Sequence, residues 1–207
     1  TVGERWKGAG RNADNFVAIS IGTGIGMGIV IGGELYRGGR GAAGEIGFLP
    51  IGADPFDPSV QEHGGPLEVA AAAGGIRRRM VRGVADRPLT SLDVGSGVRD
   101  IFDAASAGDP FAVEIIAEEA RLIAMAIGGV TAVLDPSLVV LGGGIGANPL
   151  LIDPVRQHLT RLVPNPPRVE SSTLGDRASL EGAIALALHR IRGELLSPSE
   201  WTERVKK

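Results

Sequence analysis

The sequence predicts an α/β layered domain, and three observations carry that reading. A meander of short β-type runs opens the chain, strands and helices then alternate, and two of the apolar runs empty into glycine-rich turns. Asn15–Ile21, Gly28–Ile31 and Glu34–Tyr36 read as successive strands, with Gly32-Gly33 as a two-residue hairpin between the last two. Phe48 to Pro66 is a loop rich in Gly, Pro and Asp. Leu67 to Val81 has helical periodicity and carries Arg77-Arg78-Arg79 towards its end. Val98–Ala107 is a short helix stopped by Gly108. Asp109-Pro110 then opens a long helix, with Asp as N-cap and Pro at the first helical position, and Asp135-Pro136 ends it after Leu134. Leu138–Leu141 is apolar throughout, as a strand buried on both faces is. Helix, strand and helix follow at Leu150–Leu162, Val169–Ser172 and Arg177–Leu195, and a polar tail closes the chain.

Composition narrows the function classes. The 207 residues suffice for one large domain. A net charge of −3 supplies no basic field for nucleic acid, and aromatic residues, at 4%, are too few for a base-stacking surface. There is no cysteine, which removes disulfides and thiolate zinc sites and suits a cytoplasmic location. The most apolar stretch, Leu122 to Leu134, is too short to span a bilayer and reads as a buried helix.

The chemistry points to the glycine turns. Gly22-Thr23-Gly24-Ile25-Gly26 follows the first strand, and Gly142-Gly143-Gly144 follows Leu138-Val139-Val140-Leu141. Glycine lets bare backbone N–H groups approach an anion, so two such loops in one α/β chain suggest a phosphate or nucleotide cleft. Neither is a Walker A loop, because no Gly-Lys-Ser/Thr follows. The first is not the dinucleotide fingerprint either, because it runs on into β-like Met27–Ile31 rather than a helix. Thr23 adds a hydroxyl suited to a phosphate oxygen or a water on Mg²⁺, or to its own backbone.

Between the two loops lies Gly38-Gly-Arg-Gly-Ala-Ala-Gly-Glu-Ile-Gly-Phe-Leu-Pro50. This segment resembles the signature of the ROK family of repressors, open reading frames and sugar kinases. So do the spacing from Gly22–Gly26, the Val140-Leu-Gly-Gly-Gly-Ile145 run and Glu181-Gly-Ala-Ile-Ala-Leu-Ala187, and the resemblance extends from Thr1 to about Arg192. It implies the ribonuclease-H-like C-terminal lobe of the actin and sugar-kinase superfamily over residues 1–195, with 196–207 as tail. It also implies that Gly3-Glu4 close a family motif whose catalytic aspartate, like the first phosphate loop, lies before Thr1. The chain is then expected to be a catalytically inert C-terminal piece of a longer protein.

The resemblance assigns sugar contacts as well. Glu45 matches a glutamate that hydrogen-bonds the sugar in the kinases; a carboxylate accepts two hydroxyls at once. Its plainer reading is a surface acid in a turn. Glu68 matches a second sugar-binding glutamate, against the plainer reading of an acid stabilising a helix start. The family's zinc ligands are absent: Phe48 stands where a sugar-contacting histidine is expected and Pro66 where a cysteine is. His63 with Asp54, Asp57 and Glu62 is a poor substitute for a site of four N or S ligands, so no zinc is expected. Phe48 is either an apolar face for a sugar ring or a plug for the gap. Arg77–Arg79 with Arg82 reads as a solvated face.

Loss of the zinc cluster favours the effector-binding half of a ROK transcriptional regulator of carbohydrate metabolism. DNA binding would then reside in an N-terminal domain outside this chain. The alternative is the C-terminal lobe of an ATP-dependent ROK sugar kinase, with ATP and Mg²⁺. The long apolar helix Pro110–Leu134 holds more apolar residues than one buried face needs, which predicts a homodimer.

Overall fold

A computed structural model describes residues 1–196, with only the backbone described for Asp176 and for 193–196; of the tail expected over 196–207, Leu196 ends a helix and the rest lies outside the described residues. In chain order the helices and strands are α1 (Val2–Trp6), β1 (Phe16–Ile21), β2 (Ile25–Ile31), β3 (Glu34–Tyr36), α2 (Pro58–Glu62), α3 (Pro66–Ala71), α4 (Ala73–Gly83), α5 (Val98–Ser106), α6 (Pro110–Leu134), β4 (Leu138–Gly142), α7 (Gly143–Gly146), α8 (Pro149–Leu162), β5 (Arg168–Ser171) and α9 (Ala178–Leu196). Among the described residues no helix is long and apolar enough to cross a membrane.

The strands form one sheet in the order β3-β2-β1-β4-β5, antiparallel from β3 to β1 and parallel from β1 to β5. Side chains alternate across it. Val17, Ile19, Ile21, Ile25, Ile29, Val139, Leu141 and Val169 face the main core, which is shared with α3 to α6 and α8. Phe16, Val30, Leu138 and Val140 form a smaller cluster with Ala13 on the other face. There α1 and α9 cross at two glycines, so close that a Cβ on Gly3 would lie 2.3 Å from the Ala178 carbonyl oxygen.

Caps and turns follow the sequence closely. Asp109 accepts from the N–H groups of Phe111 and Ala112, and Asp135 ends α6 in the left-handed region with φ +45°. Gly32 and Gly33, both at positive φ, turn β2 into β3. The apolar content of α6 is consumed inside the lobe, against α8 on one side and α3, α4 and α5 on the other. It therefore gives no independent reason for a second copy.

Two expectations are corrected. The helix expected over Leu67–Val81 is two helices, because Ala72 is extended (ψ 174°) and the Ala73 N–H bonds the Gly22 carbonyl at 2.9 Å instead of closing a helical turn. The arginine cluster is not simply solvated. Arg77 donates to the Val94 carbonyl, and Arg78 and Arg79 cap the freed carbonyls of Val69 and Ala70.

Candidate functional site

β1 and β4 are parallel neighbours with Ser20 opposite Gly142, so both glycine turns leave the sheet at the same edge. Ligands of parallel α/β sheets bind outside the carboxyl ends of the strands, where this edge lies. Gly22-Thr23-Gly24 is the tight turn of the β1–β2 hairpin, closed by Ile21 opposite Ile25 and by Gly22 N–H donating to the Gly24 carbonyl at 3.0 Å. Gly143, at φ +80°, lies so close over β1 that a Cβ would meet the Ile21 carbonyl oxygen at 2.3 Å. The second loop is thereby seated on the base of the first.

The glycines here divide by what demands them. Gly143 is required by packing, and Gly24 lies against the Glu68 carboxylate. Gly22, Gly26 and Gly144 are not so constrained: no atom lies within 4 Å of a Cβ built on any of them, and their φ values are ordinary. Open space over bare backbone is what an approaching ligand needs. Gly26, Gly142 and Gly143 line one cleft of about 340 Å³, together with Ser20, Ser172 and Glu4. Gly22, Thr23, Gly24 and Gly144 lie outside that lining, and Thr23 is exposed at the hairpin tip. A larger groove of about 630 Å³ along α6, lined by Gly128, Gly129, Ala132 and Leu162, contains none of the expected site residues.

The other expected site residues, Glu45, Phe48 and Glu68, are built against the same hairpin. Gly44 packs on β2, where the Met27 N–H donates to its carbonyl at 3.0 Å, and this brings Glu45 to the start of a short 3-10 turn, Ile46–Phe48. Glu45 is exposed and has no hydrogen-bond or ion-pair partner among the described residues. Glu68 is half-buried in the first turn of α3. Its Oε2 accepts from the Ile25 N–H at 2.8 Å, while Oε1 accepts nothing among the described residues. Glycines wall the carboxylate: a Cβ on Gly24 would lie 2.7 Å from Oε2 and one on Gly64 2.0 Å from Oε1. Phe48, 52% exposed, rests against Gly65 at the start of α3.

The zinc expected of the family signature does not fit these residues. Phe48 and Pro66 offer no ligand atom. His63 holds its Nδ1 2.6 Å from the Ser59 carbonyl oxygen, and the described residues contain no group of three or more His, Cys, Asp or Glu able to hold a metal ion.

Sequence reasoning missed two buried acids. Glu4 takes the Ala9 N–H and the Ser172 hydroxyl, tying the start of the chain to the end of β5 beside the cleft. Glu119 pairs with Arg79 inside the main core. An acid four residues after Ile115 and four before Ile123, on the apolar face of a helix, was the available signal for it.

A model of the ROK family matches residues 1–190. The chain belongs to the ROK family. It is 37% identical over 164 residues to the glucokinase of Halalkalibacterium halodurans, covering 76% of this chain and 50% of that one. It is 33% identical over 204 residues to the glucokinase of Thermotoga maritima, covering 93% and 64%. The chain thus spans half to two thirds of these ROK relatives. Its fold, that of the actin and sugar-kinase superfamily, matches a ROK glucokinase from Streptomyces griseus in complex with glucose and AMPPNP, with a TM-score of 0.77, 30% identity and coverage of 89% and 64%. A ROK transcriptional regulator homologous to the E. coli MLC protein matches equally well in fold, with a TM-score of 0.77, 29% identity and coverage of 89% and 48%.

These relatives correct the expectation of a transcriptional regulator. The fold serves both functions and does not separate them, but glucokinases and a beta-glucoside kinase stand among this chain's sequence relatives.

Proposed function

We propose that this chain is the glycine-loop lobe of an ATP-dependent sugar kinase. The observation that carries the reading is the meeting of the two glycine turns at one sheet edge, with open backbone at Gly22, Gly26 and Gly144, in a chain with glucokinases among its sequence relatives. In the reaction a sugar hydroxyl oxygen attacks the γ-phosphorus of ATP, the bond to the β–γ bridging oxygen breaks, and ADP leaves. The hydroxyl proton passes to a carboxylate base, which the family resemblance locates ahead of Thr1. Backbone N–H groups of the two turns stabilise the phosphate charge, and Mg²⁺ accompanies the nucleotide as in phosphoryl transfer generally. Glu45 and the free Oε1 of Glu68 accept sugar hydroxyls, and Phe48 offers an apolar face to the ring.

The test uses the whole protein that contains this chain, with Mg-ATP and a panel of hexoses and N-acetylhexosamines, reading ADP release. Sugar-dependent ADP formation is expected with at least one of them. Binding of a sugar without any sugar-dependent turnover would remove the kinase reading. Self-association is a separate part of the proposal that needs a surface other than α6, whose apolar residues are packed within the lobe. Light scattering that shows a monomer at tens of micromolar would remove that part.

A further inference from the structure

The break between α3 and α4 sits behind the candidate site, and it is held by an unusual set of groups. Where α3 stops at Ala72, the Val69 and Ala70 carbonyls lose their helical partners. Arginine side chains of α4 take both: Arg78 donates to Val69 and Arg79 to Ala70. The second amino group of Arg79 donates to Glu119 Oε2, on a fully buried side chain of α6. Close approach at the break depends on Gly75, where a Cβ would stand 2.1 Å from the Ala70 carbonyl oxygen.

The α3–α4 junction and the start of α3 in turn hold the glycine hairpin, each at one point. The Ala73 N–H, displaced from its helical acceptor, donates to the Gly22 carbonyl at 2.9 Å. At the other end of the helix Glu68 accepts from the Ile25 N–H at 2.8 Å. The backbone groups on both sides of the Gly22–Gly24 turn therefore hang on α3 and the first residue of α4, and Arg78 and Arg79 cap the junction between the two helices.

The pair is a costly way to build a core. Glu119 Oε1 and Arg79 Nε are buried without partners among the described residues. Replacing such an incompletely satisfied buried ion pair with apolar residues is often neutral or stabilising. An apolar pair, however, cannot donate to the Ala70 carbonyl. We infer that Arg79 and Glu119 are positioning residues: they clamp the carboxyl end of α3 and through it set the hairpin and Glu68 relative to each other. The inference rests on the kinase reading for its functional consequence, not for its structural one.

The test is the double variant Arg79→Met/Glu119→Met in the whole protein, with Glu119→Gln as the conservative control, because Gln still offers Arg79 an oxygen. Three quantities are read: the urea unfolding midpoint, hydrogen exchange at the Ile25 and Ala73 amides, and steady-state constants with Mg-ATP and the sugar found above. In the double variant the midpoint is expected to hold or rise. Exchange at the two amides is expected to quicken at least about tenfold, and kcat/KM to fall by about ten- to a hundredfold, as for displaced binding groups. Glu119→Gln is expected to stay near wild type in exchange and kinetics. Unchanged exchange and kinetics in a double variant of unchanged stability would overturn the clamp and leave the kinase reading standing. Quickened exchange in a protein whose wild type phosphorylates no sugar would uphold the clamp and sink the kinase reading. If the double variant does not fold, Arg79→Lys, which keeps the charge opposite Glu119 but loses the planar fork, carries the same comparisons.

Discussion

Removing the Glu68 carboxylate is expected to cost stability and sugar affinity together, through two different oxygens. Oε2 accepts from the N–H of Ile25, a residue only 6% exposed, so Glu68→Ala strands a donor at the root of the hairpin. A buried unsatisfied amide costs about 1–3 kcal/mol, and in a domain of this size 2 kcal/mol is a fall in Tm of about 4–8 °C. The free Oε1 is the one available to a ligand hydroxyl, and losing a charged hydrogen bond there costs about ten- to a hundredfold in affinity. Glu68→Gln keeps an acceptor for Ile25, so its Tm should fall far less while its sugar affinity still drops. Glu45→Ala is the control with the opposite pattern. Its exposed carboxylate holds nothing among the described residues, so stability should change by less than about 0.5 kcal/mol while sugar binding weakens by about ten- to a hundredfold. Scanning calorimetry and titration calorimetry on the same preparations separate the two effects. A Glu68→Ala protein that unfolds at the wild-type temperature would refute the claim that this carboxylate holds the hairpin. A Glu45→Ala protein that binds sugar as wild type does would reduce Glu45 to a turn residue.

The two glycines of the second loop should respond in opposite ways. Gly143→Ala forces a Cβ into the left-handed region and to 2.3 Å from the Ile21 carbonyl, and should destabilise by about 2–4 kcal/mol; Gly144→Ala meets open space and should leave the unfolding midpoint alone while weakening nucleotide binding. Equal stability of the two variants would show that the loop is not seated on β1 as described. Stability should also fall with rising pH on account of Glu119. Burial, opposed by Arg79 on α4 and joined by the neighbouring charge of Glu118, pushes its pKa up to about 8. A carboxyl whose folded pKa lies above its unfolded one contributes stability in full below the unfolded value near 4.5, and that contribution is lost as pH rises through about 8. The urea midpoint of wild type should therefore fall relative to that of Glu119→Gln from pH 6 to 8, and a constant difference between them over that range would contradict this.

Local rules made most of the architecture legible. The Asp109-Pro110 cap, the stop at Asp135-Pro136 and the apolar run at Leu138 placed α6 and β4 to within a residue. β2 was read too short, because Gly26 and Gly28 hide the alternation of Ile25, Met27 and Ile29 that faces the core. The break at Ala72 was not legible at all. Nothing in the Ala-Gly run from Ala70 to Gly75 forbids a helix; what ends it is competition from outside, the Gly22 carbonyl drawing off the Ala73 N–H while Arg78 and Arg79 satisfy the carbonyls left behind. That competition also hid the arginines. On a helical wheel they form a charged face, and only tertiary contact turns them into caps. At the candidate site, the glycine turns stood out by themselves and the family resemblance singled out Glu45 and Glu68, but not the division of labour between the two oxygens of Glu68, which depends on a strand distant in sequence.

The misjudged function has a physical root in the same region. Absence of the cysteines and Phe48 in place of the expected histidine point, by sequence, to a transcriptional regulator. A structural metal, however, holds a loop, and a loop can be held otherwise. Here Asp57 caps α2 through the Ser59 N–H at 2.9 Å, Gln61 reaches the Pro55 carbonyl at 2.7 Å, His63 engages Ser59, and the Gly65 N–H closes onto the Val60 carbonyl at 3.0 Å. Phe48 lies against Gly65 where α3 begins. These contacts deliver the chain to the first turn of α3, where Glu68 faces the hairpin, without a metal ligand. Residues 52–66 are thus tethered by hydrogen bonds and packing, with Glu68 held against the hairpin by the Ile25 N–H. The missing zinc ligands carry no information about whether phosphate is transferred, and the kinase relatives outweigh them.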